Sequence, residues 1–374
     1  MQFIDLKTQY ELIEADVVSR VTKVLASQRY IMGPEVAEAE EKLAEFAGTK
    51  YCVSCGSGTD ALVISLMALG LKKSDAVFVP AFTFFASGES VTLAGGTPVF
   101  VDSDSDTYNM SVDDLKRAIK YVQEETDLTP KGIIPVDLFG QPADYDEINE
   151  IATQHGMFVL EDAAQGFGST YHGKRAGSLS LVGATSFFPA KPLGCYGDGG
   201  AIFTDDADLC EVMKSVRVHG QGGSKYDNVR IGINGRFDTI QAAIILSKLT
   251  IFENEIDARQ KVAAAYNERL SDVIKTPVVK DDRVSVWAQY TLEAKSEAEK
   301  VDIQKALTDA GIPSANYYPI PMHLSTAYAP LGYKKGDLPV CERQATRVFS
   351  LPMHPYLKEE EIATICDIVR SSVK

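Results

Sequence analysis

One tryptophan, five histidines and six cysteines are all that this chain of 374 residues holds of those types. The histidines (His155, His172, His219, His323, His354) have no H-x-x-x-H or related spacing, which argues against a histidine-built metal centre. The cysteines (Cys52, Cys55, Cys195, Cys210, Cys341, Cys366) follow no framework spacing, so reduced thiols are expected rather than a disulfide scaffold. Cys52 and Cys55 fit C-x-x-C, but they lack a second pair and lie in an apolar, strand-like run, where buried thiols are expected. No window approaches the roughly 18 consecutive apolar residues of a membrane span. The opening "MQFIDLKTQYELIEADVV" lacks the basic region and apolar run of a secretory leader, and a cytoplasmic location is expected. Positive charge is scarce: 37 Lys and Arg against 52 Asp and Glu give a net charge of −15, which sets the chain against nucleic-acid binding. An anionic small molecule stays compatible if a locally basic pocket opposes the global field. Also missing are internal repeats, the G-x-S-x-G elbow of one hydrolase class, and a G-x-G-x-x-G fingerprint after a strand. That last absence weakens a dinucleotide-dependent oxidoreductase reading.

What is present reads as an ordinary globular protein, with 45% hydrophobic and 24% charged residues. From residue 50 to about 205, short apolar runs ("YCVSC", "AVFVPAF", "TPVFVD", "GIIPVDLFG", "MFVLEDAA", "GAIFTDD") alternate with helical segments such as "VDDLKRAIKYVQEE". That alternation predicts a mainly parallel α/β sheet. Ligands of such sheets gather at the carboxyl ends of strands, so Ser57-Gly58-Thr59, Asp102 and Glu161-Asp162, which follow or end three runs, are the places to search. After residue 240 a long helical pattern leads into a smaller α+β region. The expected division is a large domain over residues 1–245 and a small domain over 246–374.

Four clusters carry chemistry. Ser57-Gly58-Thr59-Asp60 between a strand and a helix suits an anion at a helix N-terminus, or a plain helix cap. In "VLEDAAQGFG" an apolar strand ends at Asp162, an acid able to bond a cationic ring nitrogen, or a surface or capping aspartate. In "SFFPAKPLGCYGDGG", Phe187 and Phe188 read as a buried strand end, Pro189 and Pro192 bar helix on either side of Lys191, and Gly194, Gly197, Gly199 and Gly200 leave the backbone free for positive φ. A lysine framed so rigidly suits a desolvated nucleophile, or a structural lysine holding a loop. In "GINGRFDTIQAA", Asn234 and Arg236 suit an anion contact and Asp238 suits a helix cap.

Taken in this order, and with "FIDLKTQY", "YIMGPEV", "PAFTFFAS", "YYPIP" and "SLPMHPYL", these clusters resemble the DegT/DnrJ/EryC1/StrS family of sugar aminotransferases from end to end. The resemblance implies a pyridoxal 5′-phosphate (PLP) enzyme of transferase fold type I (aspartate-aminotransferase-like), with a mainly parallel seven-stranded sheet and a smaller α+β C-terminal domain. It implies that Lys191 bonds the cofactor covalently, that Asp162 bonds its ring nitrogen, and that Gln165 meets its phenolic oxygen. It makes Gly58, Thr59 and Ser186 the phosphate cup and Phe84 the stacking aromatic. Asn234 is expected to reach the phosphate in a neighbouring subunit, hence a homodimer with shared sites. Within the family the likeness is greatest to enzymes that aminate UDP-2-acetamido-2-deoxy-3-oxo-glucuronate in O-antigen synthesis, with L-glutamate as donor. That implies a UDP-linked keto-sugar substrate, with Arg230 and Tyr317 as candidate substrate contacts. Asn316-Tyr317-Tyr318-Pro319 stands where that subgroup usually has a histidine before Y-P-I-P, a pattern shared with relatives acting on other UDP- or dTDP-linked keto-sugars. A non-catalytic PLP-fold regulator is the remaining alternative, and the intact set Lys191, Asp162, Gln165 and Ser186 weighs against it.

Overall fold

Aliphatic runs too short for helices form the strands of a central sheet, and the amphipathic segments between them form its covering helices. A computed structural model describes residues 1–224 and 226–373. In chain order its strands are β1 (Tyr51–Cys55), β2 (Asp75–Pro80), β3 (Thr97–Val101), β4 (Thr129–Ile133), β5 (Phe158–Asp162), β6 (Thr170–Tyr171), β7 (Lys174–Arg175), β8 (Val182–Ser186), β9 (Gly200–Thr204), β10 (Arg283–Val284), β11 (Tyr290–Glu293) and β12 (Val348–Leu351). The α-helices are α1 (Leu6–Ser27), α2 (Pro34–Ala47), α3 (Gly58–Ala68), α4 (Ala86–Leu93), α5 (Val112–Glu125), α6 (Tyr145–His155), α7 (Ala207–Arg217), α8 (Thr239–Leu270), α9 (Glu297–Asp309), α10 (Pro339–Arg347) and α11 (Glu359–Ser372).

The main sheet has seven strands, as the family resemblance implied, and their order is β1-β9-β8-β5-β4-β2-β3. Pairs β2/β3, β2/β4, β4/β5 and β5/β8 are parallel, whereas β9 runs antiparallel to both β1 and β8. That reversal positions the chemistry. Because β8 and β9 are adjacent and opposed, with Ser186 opposite Gly200, the segment between them must turn back at the carboxyl end of β8. The Lys191 loop is that turn.

The long helix α8, 32 residues, joins two apolar cores. Its first half, through Ala242, Ile245, Phe252 and Ile256, packs with α1, α2 and the face of the sheet bearing Phe203. Its last turns, through Val262, Tyr266 and Leu270, pack with β11, β12, α9 and α11. The 245/246 division lies inside this helix, and the apolar clusters separate along it between Ile256 and Val262. Asp238 occupies the N-cap position, yet its side chain makes no capping hydrogen bond. Asp102 does not join the other strand ends: its carboxylate accepts from the amides of Val340 and Cys341 at 3.0 and 2.8 Å and ties β3 to the start of α10.

Phe252 is fully buried, parallel to Phe167 at 6.3 Å and 5.3 Å from Phe46. Phe252→Ala is expected to cost about 3–5 kcal/mol through lost transfer energy and the cavity left behind, read as a lower denaturant midpoint with little change in slope.

Candidate active site

Three strand ends meet at one corner of the sheet. After β1, Ser57 takes an extended backbone and caps α3, its hydroxyl accepting from the Asp60 amide at 3.0 Å. The amides of Gly58 and Thr59 then open the helix, where first-turn N–H groups lack intrahelical acceptors and the helix dipole favours an anion. Glycine is required at 58 for space, because a Cβ there would lie 2.6 Å from the Cβ of Ser186 at the end of β8. Gly200 serves likewise, its missing Cβ falling 2.4 Å from the Ser57 carbonyl. The cup therefore brings Gly58, Thr59 and Ser186 against one cavity.

Asp162 ends β5 beside this cup and is 5% exposed. Its carboxylate accepts from the Ser87 hydroxyl at 2.7 Å and the Ala164 amide at 3.1 Å, and Ser87 in turn lies 3.2 Å from the Thr83 hydroxyl. Burial raises the Asp162 pKa; Ser87, the Ala164 amide and the charge of Lys191 oppose that rise and favour the anion. For Lys191 burial lowers the pKa, and Asp162 alone counters it. An amine so placed gives up its proton more readily than an exposed lysine.

The Lys191 loop is held by its own backbone. Phe187 N–H donates to the Gly199 carbonyl at 2.7 Å, Cys195 N–H to the Phe187 carbonyl at 2.8 Å, and Lys191 N–H to the Phe188 carbonyl at 2.9 Å. The expected positive φ is not found at Gly194, Gly197, Gly199 or Gly200. These glycines answer to close packing instead: a Cβ on Gly194 would sit 2.5 Å from the Phe188 carbonyl, and one on Gly199 2.4 Å from the Phe237 ring. The expected burial of both phenylalanines holds for Phe187 only; Phe188 is 52% exposed, beyond the end of β8, and borders the cavity.

The cavity has a volume of about 550 Å³ and is bordered by Lys191, Asp162, Gln165, Phe84 and Tyr317 as well as the cup. Gln165 is fixed in orientation, its carbonyl accepting from the Phe139 amide at 2.7 Å and its amide donating to the Tyr318 hydroxyl at 2.8 Å. Phe84 is exposed, with its ring 6.2 Å from Tyr318. Tyr317 stands between Tyr318 and Phe3, at 5.8 and 6.4 Å. Arg230 and Asn234 do not border this cavity: both are exposed, and the Asn234 carbonyl accepts from Arg236 at 2.8 Å.

The profile of the DegT/DnrJ/EryC1/StrS aminotransferase family matches residues 11–370. The chain belongs to this family. The aminotransferase is 49% identical to the UDP-2-acetamido-2-deoxy-3-oxo-D-glucuronate aminotransferase of Pseudomonas aeruginosa, over 98% of each chain. A solved DegT DnrJ EryC1 StrS aminotransferase from Brucella abortus is 50% identical, with a TM-score of 0.95 over 99% of both chains. NtdA from Bacillus subtilis, solved with bound cofactor PMP, is 29% identical, with a TM-score of 0.88 over 99% of this chain and 83% of that one. The cofactor of the aminotransferase is pyridoxal 5′-phosphate. The residues present fit such a group: the glycine-lined cup has helix-opening amides that could take a phosphate, Asp162 is a buried carboxylate that could bond a ring nitrogen, and Lys191 is a desolvated amine that could bond an aldehyde.

Sequence reasoning missed Ser87 and Tyr318. Ser87 sits one turn beyond Thr83 in "AFTFFASGES", and the hydroxyls in that run were its only signal. Tyr318 shows in the sequence only as part of the Asn316-Tyr317-Tyr318-Pro319 run. Ser87→Ala removes a donor to the Asp162 anion, so the carboxyl pKa rises and the acid limb of the kcat/KM profile moves to higher pH. A loss of roughly tenfold at neutral pH is expected from one charge-assisted hydrogen bond.

Proposed function

We propose that this aminotransferase moves the amino group of L-glutamate to the 3-keto group of a UDP-linked 2-acetamido-2-deoxy-hexuronate, in the building of a bacterial O-antigen or related surface polysaccharide. Several relatives are named as aminotransferases or transaminases of UDP- or dTDP-linked sugars; the sugar, the carbon and the donor are our reading. The observation that carries it is the convergence of Lys191, Asp162 and the Gly58–Thr59–Ser186 cup on one cavity, together with 49% identity to an enzyme named for that sugar. Amination of another UDP- or dTDP-linked keto-sugar is the second reading, favoured by Asn316-Tyr317-Tyr318 ahead of Pro319. A regulator without catalysis is not favoured, because Lys191, Asp162, Gln165 and Ser186 all border one cavity.

When bound, the cofactor supplies an electron sink for the carbon of the donor and carries the amino group between donor and acceptor. The amides of Gly58 and Thr59 and the Ser186 hydroxyl hold its phosphate. Asp162, kept anionic by Ser87, Ala164 and Lys191, holds a proton on the ring nitrogen. Gln165, locked by Phe139 and Tyr318, orients the ring, and the exposed face of Phe84 packs on it. The Lys191 amine anchors the cofactor and, once free, moves a proton to and from the reacting carbon at Nζ, the role for which burial depresses its pKa. Tyr317 borders the cavity, and in this reading it contacts the sugar. We propose further that the enzyme is a homodimer whose Asn234 and Arg230, exposed on their own subunit, complete the neighbour's site, Asn234 at the phosphate and Arg230 at the sugar carboxylate.

Borohydride treatment of the PLP-loaded protein is expected to fix the cofactor on Lys191, located by peptide mass, and Lys191→Ala is expected to lower turnover by about 1000-fold or more. Incubation with glutamate and a panel of UDP- and dTDP-linked keto-sugars is expected to give an aminated UDP-hexuronate by mass. Another product would select the second reading, and no product from any sugar would remove both. Mixing inactive Lys191→Ala and Asn234→Ala proteins is expected to regenerate activity through hybrid dimers; no regeneration would show that the sites are not shared.

A further inference from the structure

Behind Asp162 lies a second pair of carboxyl groups with no place in the chemistry above. Glu161 precedes Asp162 on β5 and is completely buried; successive strand residues face opposite sides, so its carboxylate points away from the cavity. It accepts from the amides of Gly177 at 2.5 Å and Leu179 at 3.0 Å. Asp137, just beyond β4, is also completely buried. Its Oδ1 accepts from the Tyr145 hydroxyl at 2.8 Å and the Ala143 amide at 3.1 Å. Its Oδ2 is enclosed and meets no donor; because Val136 pairs in parallel with Asp162, Asp137 and Glu161 fall on the same face of adjacent segments, and each acts on the other's ionisation. Among the described residues no group of three or more His, Cys, Asp and Glu is arranged to hold a metal ion.

Two adjacent buried carboxyls cannot both ionise without a cation. Asp137 Oδ2 is the one oxygen with no donor to satisfy it, whereas both oxygens of Glu161 accept amides, so the proton belongs on Asp137. As a hydroxyl, Oδ2 becomes a donor and its isolation ends. The charged and titratable groups facing the pair agree: burial raises Asp137 strongly, Glu161 and Asp162 push it the same way, and the hydrogen bonds from Tyr145 and Ala143 oppose. Burial also raises Glu161, against the amides of Gly177 and Leu179 and the bond to Asp137, while Asp162 adds to the rise. Burial raises Tyr145, which stays a neutral donor.

The same turn braces the active site. Asp137 N–H donates to the Asp162 carbonyl at 3.1 Å, and Asp162 N–H donates to the Pro135 carbonyl at 2.9 Å. Phe139, two residues on, fixes Gln165. Gly166 passes so close that a Cβ there would lie 2.5 Å from Asp137 Oδ2. We propose that Asp137 is held as a neutral carboxylic acid donating to the Glu161 carboxylate, and that this proton-sharing pair is a positioning device that seats Asp162 and Gln165. Its functional consequence rests on the proposed contacts of those two residues with the cofactor; the protonation of Asp137 does not.

Infrared difference spectra of the holoenzyme and Asp137→Asn at neutral pH test the first part. The carbonyl band of a protonated carboxylic acid is expected to vanish in the variant; loss of carboxylate bands alone would overturn the proposal. The second part is tested by Asp137→Ala against Asp137→Asn. An amide can accept from Tyr145 and donate to Glu161, so Asn is expected to recover most of what Ala loses. That loss is expected as a drop in kcat of about tenfold or more from misplaced reacting groups, together with a shifted pH titration of the cofactor absorbance. An unshifted titration and unchanged kcat in Asp137→Ala would overturn the positioning role. Should Asp137→Ala not fold, Asp137→Asn still decides through its infrared and absorbance readouts, because an Asn variant with a shifted titration contradicts the pairing. Failure of cofactor attachment at Lys191 would sink the functional reading and leave the infrared result intact.

Discussion

Keeping a carboxylate ionised at the buried end of a central parallel strand is the constraint on which the rest of this site depends. An isolated anion at Asp162 would be costly in that surrounding, and the neighbouring elements are arranged to offset the cost. The first turn of α4 supplies the Ser87 hydroxyl, the residues after β5 supply the Ala164 amide, and the β8–β9 turn supplies the charge of Lys191. The same proximity acts on Lys191 in the opposite sense, since Asp162 is what keeps its pKa from falling further. Acid and amine tune one another, so neither can be moved without changing the other.

Backbone geometry makes that proximity available. Strand β9 reverses the run of parallel strands, and the reversal returns the chain at the carboxyl end of β8, next to Asp162 and the α3 N-terminus. Such a corner is crowded: glycine at 194 and 200 lets main chains approach closely, and glycine at 58 and 199 makes room for the Ser186 side chain and the Phe237 ring. Gln165 and Tyr318 then close one wall through a hydrogen bond between residues far apart in sequence. On the other side of β5, Glu161 ties the strand to the loop at Gly177 and Leu179, and Asp137, in the turn that braces Asp162, holds the Tyr145 hydroxyl.

Local signals were legible where chemistry is written in consecutive residues. The cap at Ser57, the strand ending in Asp162 and the proline-framed Lys191 all stood where the sequence placed them, and seven strands appeared in a mainly parallel sheet. Signals failed where a residue's task depends on who faces it. Asp102 looks like another strand-end acid, yet it caps α10 from a distant part of the chain. The loop glycines suggested conformational freedom, whereas they supply room. Ser87 ends the run "PAFTFFAS" with no task legible there, because a hydroxyl gains its meaning from the carboxylate it meets.

The sequence by itself determined the α/β fold class, because hydrophobic periodicity is local, and through its resemblance to a family with contiguous motifs it pointed to the cofactor and to candidate residues. Only the tertiary structure decided which of those groups share a cavity, which way Lys191 and Asp162 shift one another's protonation, and that two further carboxyls lie behind the site. Those properties arise from burial and from contacts between segments distant in the chain, and both exist only once the strand order has brought the ends of β1, β5 and β8 to one corner.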